Sequence, residues 1–105
     1  MTAQFDVFLN PIATTRRAYP FVVVLQSDFA QYARAQIVAP LVPLTSMPKV
    51  ISRLTPIVAL EGSEHLVLVP ALTGLQARDL KERHGSIASA RNKVLAAIDY
   101  LFFGV

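Results

Sequence analysis

Five apolar residues in unbroken succession, Phe21-Val22-Val23-Val24-Leu25, constrain the fold of this chain more than any other feature. The three valines are β-branched, so they lose side-chain freedom in a helix and pack well on a pleated sheet. Successive side chains of a strand point to opposite faces, and an apolar residue at every position means that both faces are covered. The run predicts a central strand in a sheet with material packed on each side.

The neighbouring segments fit such a sheet. Phe5, Val7 and Leu9 alternate with Gln4, Asp6 and Phe8, the period of a strand with one buried face. Gln36-Ile37-Val38-Ala39-Pro40-Leu41-Val42 is also strand-like, but Pro40 has no amide to donate and predicts an edge or a bulge with interrupted pairing. Ile57–Leu60 and His65–Val69 flank Glu61-Gly62-Ser63-Glu64, where Gly62 can take the positive φ of a short hairpin loop. Between Leu75 and Arg83 the composition suits a helix, yet the stretch is short and stops before His84-Gly85.

The last fifth reads differently. Ser86 predicts an N-cap, and no glycine follows until Gly104. At about 100° per residue, Ile87, Ala90, Val94, Ile98, Leu101 and Val105 gather on one stripe, with Leu95 and Phe102 beside it. Arg91 falls inside that stripe and is expected to snorkel. Ser89, Asn92, Lys93, Ala96, Asp99 and Tyr100 form the wet face, and Phe103 falls with them. An aromatic ring there is either a terminus folded back over its own domain or a contact residue for a partner.

Composition narrows the function. A chain of 105 residues has the size of one domain, expected over 1–105, because two cores would each be too small. Hydrophobic residues make up 53% and charged ones 16%, which excludes disorder and leaves surplus apolar surface for a subunit interface. The longest uncharged stretch, Ala35–Pro48, falls short of the ~18 apolar residues of a membrane span and holds three prolines. No membrane segment is expected. The N-terminus lacks a signal-peptide pattern and there is no cysteine, so the expected location is cytoplasmic, with neither disulfide nor thiolate metal cage. The net charge of +3 comes from cations scattered between Arg16 and Lys93 with acids among them, which does not make a nucleic-acid footprint.

Catalytic constellations are poor. His65 and His84 have no second ligand at metal-binding spacing, Ser27-Asp28 suits a turn or cap better than a nucleophile beside an acid, and Arg16-Arg17 suits a solvated hairpin tip. The four isolated glycines make no phosphate cradle. The expectation is a protein without catalytic residues, cofactor or metal.

Gln4-Phe5, Tyr19-Pro20 followed by the apolar run and Gln26-Ser27-Asp28, Val38-Ala39-Pro40-Leu41, Leu54-Thr55-Pro56-Ile57-Val58, and Ala97-Ile98-Asp99-Tyr100-Leu101-Phe102-Phe103-Gly104-Val105 stand in one order along nearly the whole chain. In that order and spacing they resemble the CcdB family. The strand ending in Gln-Ser-Asp and the aromatic-Gly-aliphatic terminus are the specific parts. The resemblance implies a mainly β fold with one C-terminal α-helix, an SH3-like barrel of antiparallel strands plus a small extra sheet, assembled as a homodimer. It also implies that Leu75–Leu80 is a strand. It implies a toxin of a toxin–antitoxin module that binds the A subunit of DNA gyrase, traps the cleaved gyrase–DNA complex, and is neutralised by a CcdA-like antitoxin. The gyrase-contacting positions carry over to Phe29, Ala30, Asp99, Phe102, Phe103, Gly104 and Val105. Several depart from the family: Phe103 stands in place of a tryptophan and loses an indole donor, Asp99 replaces an asparagine, Ala30 is shorter, and Val105 lacks one methylene of isoleucine, worth ~1 kcal/mol at most. Two other readings remain, an endoribonuclease toxin on the same barrel and a binding module without toxicity.

Overall fold

The computed structural model describes residues 2–27, 34–46 and 52–104. Among these, seven strands form one antiparallel sheet: β1 (Asp6–Leu9), β2 (Phe21–Val24), β3 (Ala35–Pro43), β4 (Ile57–Leu60), β5 (Ser63–Val67), β6 (Thr73–Gln76) and β7 (Arg83–Ser86). The single α-helix, α1, spans Arg91–Phe103. The hydrogen-bonded order is β4-β5-β3-β2-β1-β7, with β6 branching from the first half of β3. The sheet curls into a half barrel and α1 follows it at the C-terminal end, the mainly β architecture expected.

The apolar run forms β2 and is central, between β1 and β3. Its residues alternate between two layers: Val23 and Leu25 face the core beneath α1, with Val7, Ala39, Leu41, Val67, Val94 and Ala97. Val22 and Val24 face the opposite layer with Phe8, Val38 and Leu80. Each such side chain contributes ~1.5–3 kcal/mol by leaving water, so covering both faces roughly doubles what a strand this short can supply. The same arrangement corrects the expectation for β1, since Phe8 is buried as well as Val7. Asp6 is buried too, and its carboxylate accepts from Ala3 N–H at 3.0 Å and from the Arg83 guanidinium at 3.1 Å.

β3 corrects the reading of Pro40. The strand is interior and Pro40 lies opposite Val22 of β2 without breaking that ladder. On its other side β3 pairs with β6 through Val38 and with β5 from Leu41. The Pro40 carbonyl accepts from Leu68 N–H at 2.9 Å on that side, and a residue's N–H and C=O share a side in a strand, so the missing donor falls at the change of partner.

The hairpin is tighter than four residues. Leu60 pairs with Ser63, leaving Glu61 and Gly62 as a two-residue turn with φ of 52° and 79°. Two positive φ values match the twist of the flanking strands, so β5 starts at Ser63; it ends at Val67, before the 3-10 turn Val69–Ala71. Leu75 to Leu80 is only partly strand: β6 ends at Gln76 and Ala77–Asp79 form a 3-10 turn that tucks Leu80 under the second layer. Arg16 is not a solvated tip, because its Nε donates to the Asn10 carbonyl at 2.8 Å and holds the loop between β1 and β2; Arg17 is exposed.

Ser86 ends β7 and does not cap α1. Its hydroxyl accepts from Ala88 N–H at 3.1 Å, and a 3-10 turn, Ala88–Ala90, precedes the helix. A 3-10 turn advances about 120° per residue instead of 100°, so a wheel started at Ser86 loses phase. Within α1, Arg91 keeps the three- and seven-residue spacing to Val94 and Ile98, and as the first residue of the helix it is exposed, while Ala97 is buried further along. No helix among the described residues is long and apolar enough to cross a membrane.

Candidate functional site

The C-terminal turn of α1 is its exposed end. Val94 and Ala97 are buried, Ile98 and Leu101 are half-buried, and then Phe102 and Phe103 stand 60% and 75% exposed. Phe103 thus lies on the wet face as expected, while Phe102, expected beside the buried stripe, is exposed as well. Gly104 closes the helix with φ 72°, and its N–H donates to the Tyr100 carbonyl at 3.0 Å. A residue with a Cβ is disfavoured in that conformation, so Gly104 is the residue that lets the last turn end cleanly at Phe103. Asp99 is exposed one turn before Phe103 and on its face, because residues four apart on a helix stack.

A groove of about 370 Å³ adjoins this tip, lined by Leu25, Gln26, Ile37, Leu72, Ile98 and Phe102. Its walls come from the end of β2, from β3, from Leu72 after the 3-10 turn Val69–Ala71, and from α1. Leu25 follows β2, and its N–H donates to the Ile37 carbonyl at 2.8 Å. Gln26 turns its side-chain oxygen back to accept from Ile37 N–H at 3.2 Å, so the Gln of the Gln-Ser-Asp motif ties the end of β2 to β3. This pins Ile37 outward, 37% exposed, while its neighbour Gln36 is buried.

The structure therefore brings Asp99, Phe102, Phe103 and Gly104 together at one tip. Phe29, Ala30, Asp28 and Val105 lie outside the described residues. Ile37, Leu72 and Leu25 are groove residues that sequence reasoning missed. For Ile37 the local pattern misleads, because its neighbours Gln36 and Val38 share the buried face although one is polar and the other apolar.

The histidines sit away from the tip. His65 is buried on β5, with Nδ1 3.0 Å from the Ser63 carbonyl. His84 on β7 lies between the carboxylates of Glu61, at 3.2 Å, and Glu82, at 3.0 Å. The Glu82 hydrogen bond raises its pKa above the ordinary imidazole value, burial opposes the rise, and the hydrogen bond and charge of Glu61 add to it. No group of three or more metal-ligating side chains occurs among the described residues.

A half-barrel sheet with one terminal helix ending in two exposed aromatics is the setting in which the family comparison applies. Residues 4–104 match the family model described as CcdB protein. The chain belongs to the CcdB family. It is thus a member of a family of toxins from toxin–antitoxin modules. No curated protein matches the chain.

Proposed function

We propose that this CcdB-family chain binds the A subunit of DNA gyrase through the last turn of α1, traps the cleaved gyrase–DNA complex, and is silenced by a CcdA-like antitoxin. The observation that carries the reading is the exposure of Phe102 and Phe103 on a helix whose preceding turns are packed. Keeping two phenyl rings in water gains nothing for the fold, whereas an aromatic anchor in a desolvated pocket can supply ~2 kcal/mol or more of binding. Gly104 allows close approach of a partner backbone, and Asp99 adds a polar contact on the same face. The protein acts here by binding, without catalysis, cofactor or metal.

A homodimer is part of this reading. The groove beside the tip offers Leu25, Ile37, Leu72 and Ile98 to a second copy, and an isologous contact would cover this surface twice. Light scattering should then give twice the 11.5 kDa chain mass.

Expression in a susceptible bacterium should arrest growth and accumulate covalent gyrase–DNA breaks, and co-expression of the antitoxin should relieve both. Growth arrest with RNA cleavage and intact gyrase–DNA would replace this reading by the endoribonuclease one. Healthy growth of cells that accumulate the folded protein would leave a binding module without toxicity.

A further inference from the structure

The half barrel has a seam. β4 and β7 stand at the two ends of the hydrogen-bonded order, and no backbone hydrogen bond joins them among the described residues. Packing and side chains span the gap instead. β7 carries an irregularity in its pairing with β1: Val7 lies opposite Gly85 and Phe8 opposite Arg83, so His84 is an extra residue without a partner across the ladder. Such a bulge redirects the side chains around it. Gly85 takes φ 129°, and a Cβ there would stand 3.5 Å from Leu60 Cδ1, which shows how closely β7 approaches the end of β4.

The bulge sends neighbouring side chains different ways. Arg83 reaches Asp6 of β1 at 3.1 Å, while His84 faces the seam. Its Nδ1 lies 3.2 Å from Oε1 of Glu61, in the β4–β5 turn, and its Nε2 lies 3.0 Å from Oε2 of Glu82. The ring rests on Phe21 of β2, centroids 5.0 Å apart. Neutral imidazole carries one N–H and can donate to one carboxylate only, leaving its lone pair facing the other; imidazolium donates to both. The arrangement therefore selects the charged ring.

We propose that His84 is a proton-dependent latch across the seam, holding the β4–β5 hairpin to β7 as imidazolium and releasing it when the ring loses its proton. The groups that face it favour this reading. The β4–β5 turn presents Glu61, the segment before β7 presents Glu82, and β2 presents the uncharged Phe21. His65 of β5 also stands near Phe21, 6.0 Å from that ring, with its Nδ1 engaged by the Ser63 carbonyl. Arg83 is turned away toward Asp6, so two carboxylates act on His84 and no cation among these groups opposes them. The other end of the hairpin is tied to α1, since Lys93 Nζ donates to the Ile57 carbonyl at 3.2 Å. Opening the latch would leave the hairpin held from the helix side.

The sign follows from the direction of the shift. A folded-state pKa above the unfolded value of ~6.5 means that the latch contributes fully below that value and is lost as pH rises through the folded pKa, a window lying above pH ~6.5.

The test is a pH titration of the full chain by NMR. The His84 ring proton should titrate with a midpoint above ~6.5. Amide-exchange protection of residues 57–67, corrected for intrinsic base catalysis, should fall across the same range while that of β2 holds. In His84→Gln the hairpin should already show the lower protection at about pH 6 and lose the pH dependence. Glu61→Gln should uncouple the hairpin while the Glu82 contact still raises the ring's pKa. A wild-type midpoint at or below ~6.5 would overturn the proposal without recourse to any variant. So would hairpin protection that follows pH equally in His84→Gln.

Discussion

In α1, Val94 and Ala97 are fully packed beneath the curl of the sheet, whereas Phe102 and Phe103, two turns further on, are mostly in water. Both regions are apolar, and both belong to one continuous helix. The difference is what lies opposite them. The early turns meet the 3-10 turn Val69–Ala71 and the inner layer of β2 and β3, whereas Phe102 only borders an open groove. At its end the helix keeps its geometry on its own hydrogen bonds and carries side chains that the core does not need. A residue in the first region is tied to stability and one in the second is available for a partner, so substitutions should separate along the helix.

The strongest test of that division is Ile87→Ala. Ile87 is fully buried where the chain enters the helical segment, so truncation should cost ~2–5 kcal/mol of stability by urea denaturation, with gyrase binding harmed only through unfolding. Next comes Phe103→Ala, expected to cost ~2 kcal/mol in affinity for the gyrase A subunit, roughly thirtyfold, with unchanged thermal stability. A folded Phe103→Ala protein with wild-type affinity would make the exposed turn a mere frayed end. Ile98→Ala sharpens the boundary between the regions. The half-buried Ile98 lines the groove, so it should lose only ~1–2 kcal/mol of stability, and its loss should also weaken a dimer formed there. The smallest effect is expected for Gly104→Ala. Placing a Cβ at φ 72° costs ~1–2 kcal/mol in that conformation, much of which fraying of the last turn would relieve. Circular dichroism should show a slightly shorter helix, and binding should drop with the tip's order.

Much of the fold was legible. Phe21–Leu25 reads as a doubly covered strand because five apolar residues in a row leave no face for water, and β2 is central. Gly62 marks the hairpin because few other residues take φ near 79°. The tip was legible too, through Phe103 on the polar side of the wheel. The groove beside it was not, because Ile37 sits in an apolar run whose inward and outward members look alike.

What the sequence by itself determined is the local part: which segments alternate with a strand's period, where the chain turns, and that an aromatic at position 103 falls on a face otherwise polar. Tertiary structure alone decided that Pro40 lies in an interior strand, where the gap between two partners absorbs its missing donor. It decided that a 3-10 turn separates Ser86 from α1, and the inward placement of Gln36. It also placed Glu61 against His84, 23 positions away in the chain. Periodicity reports how a segment presents its own faces. Which strand pairs with which, and which side chains meet across a curled sheet, depends on contacts between residues far apart in sequence, and no local pattern contains them.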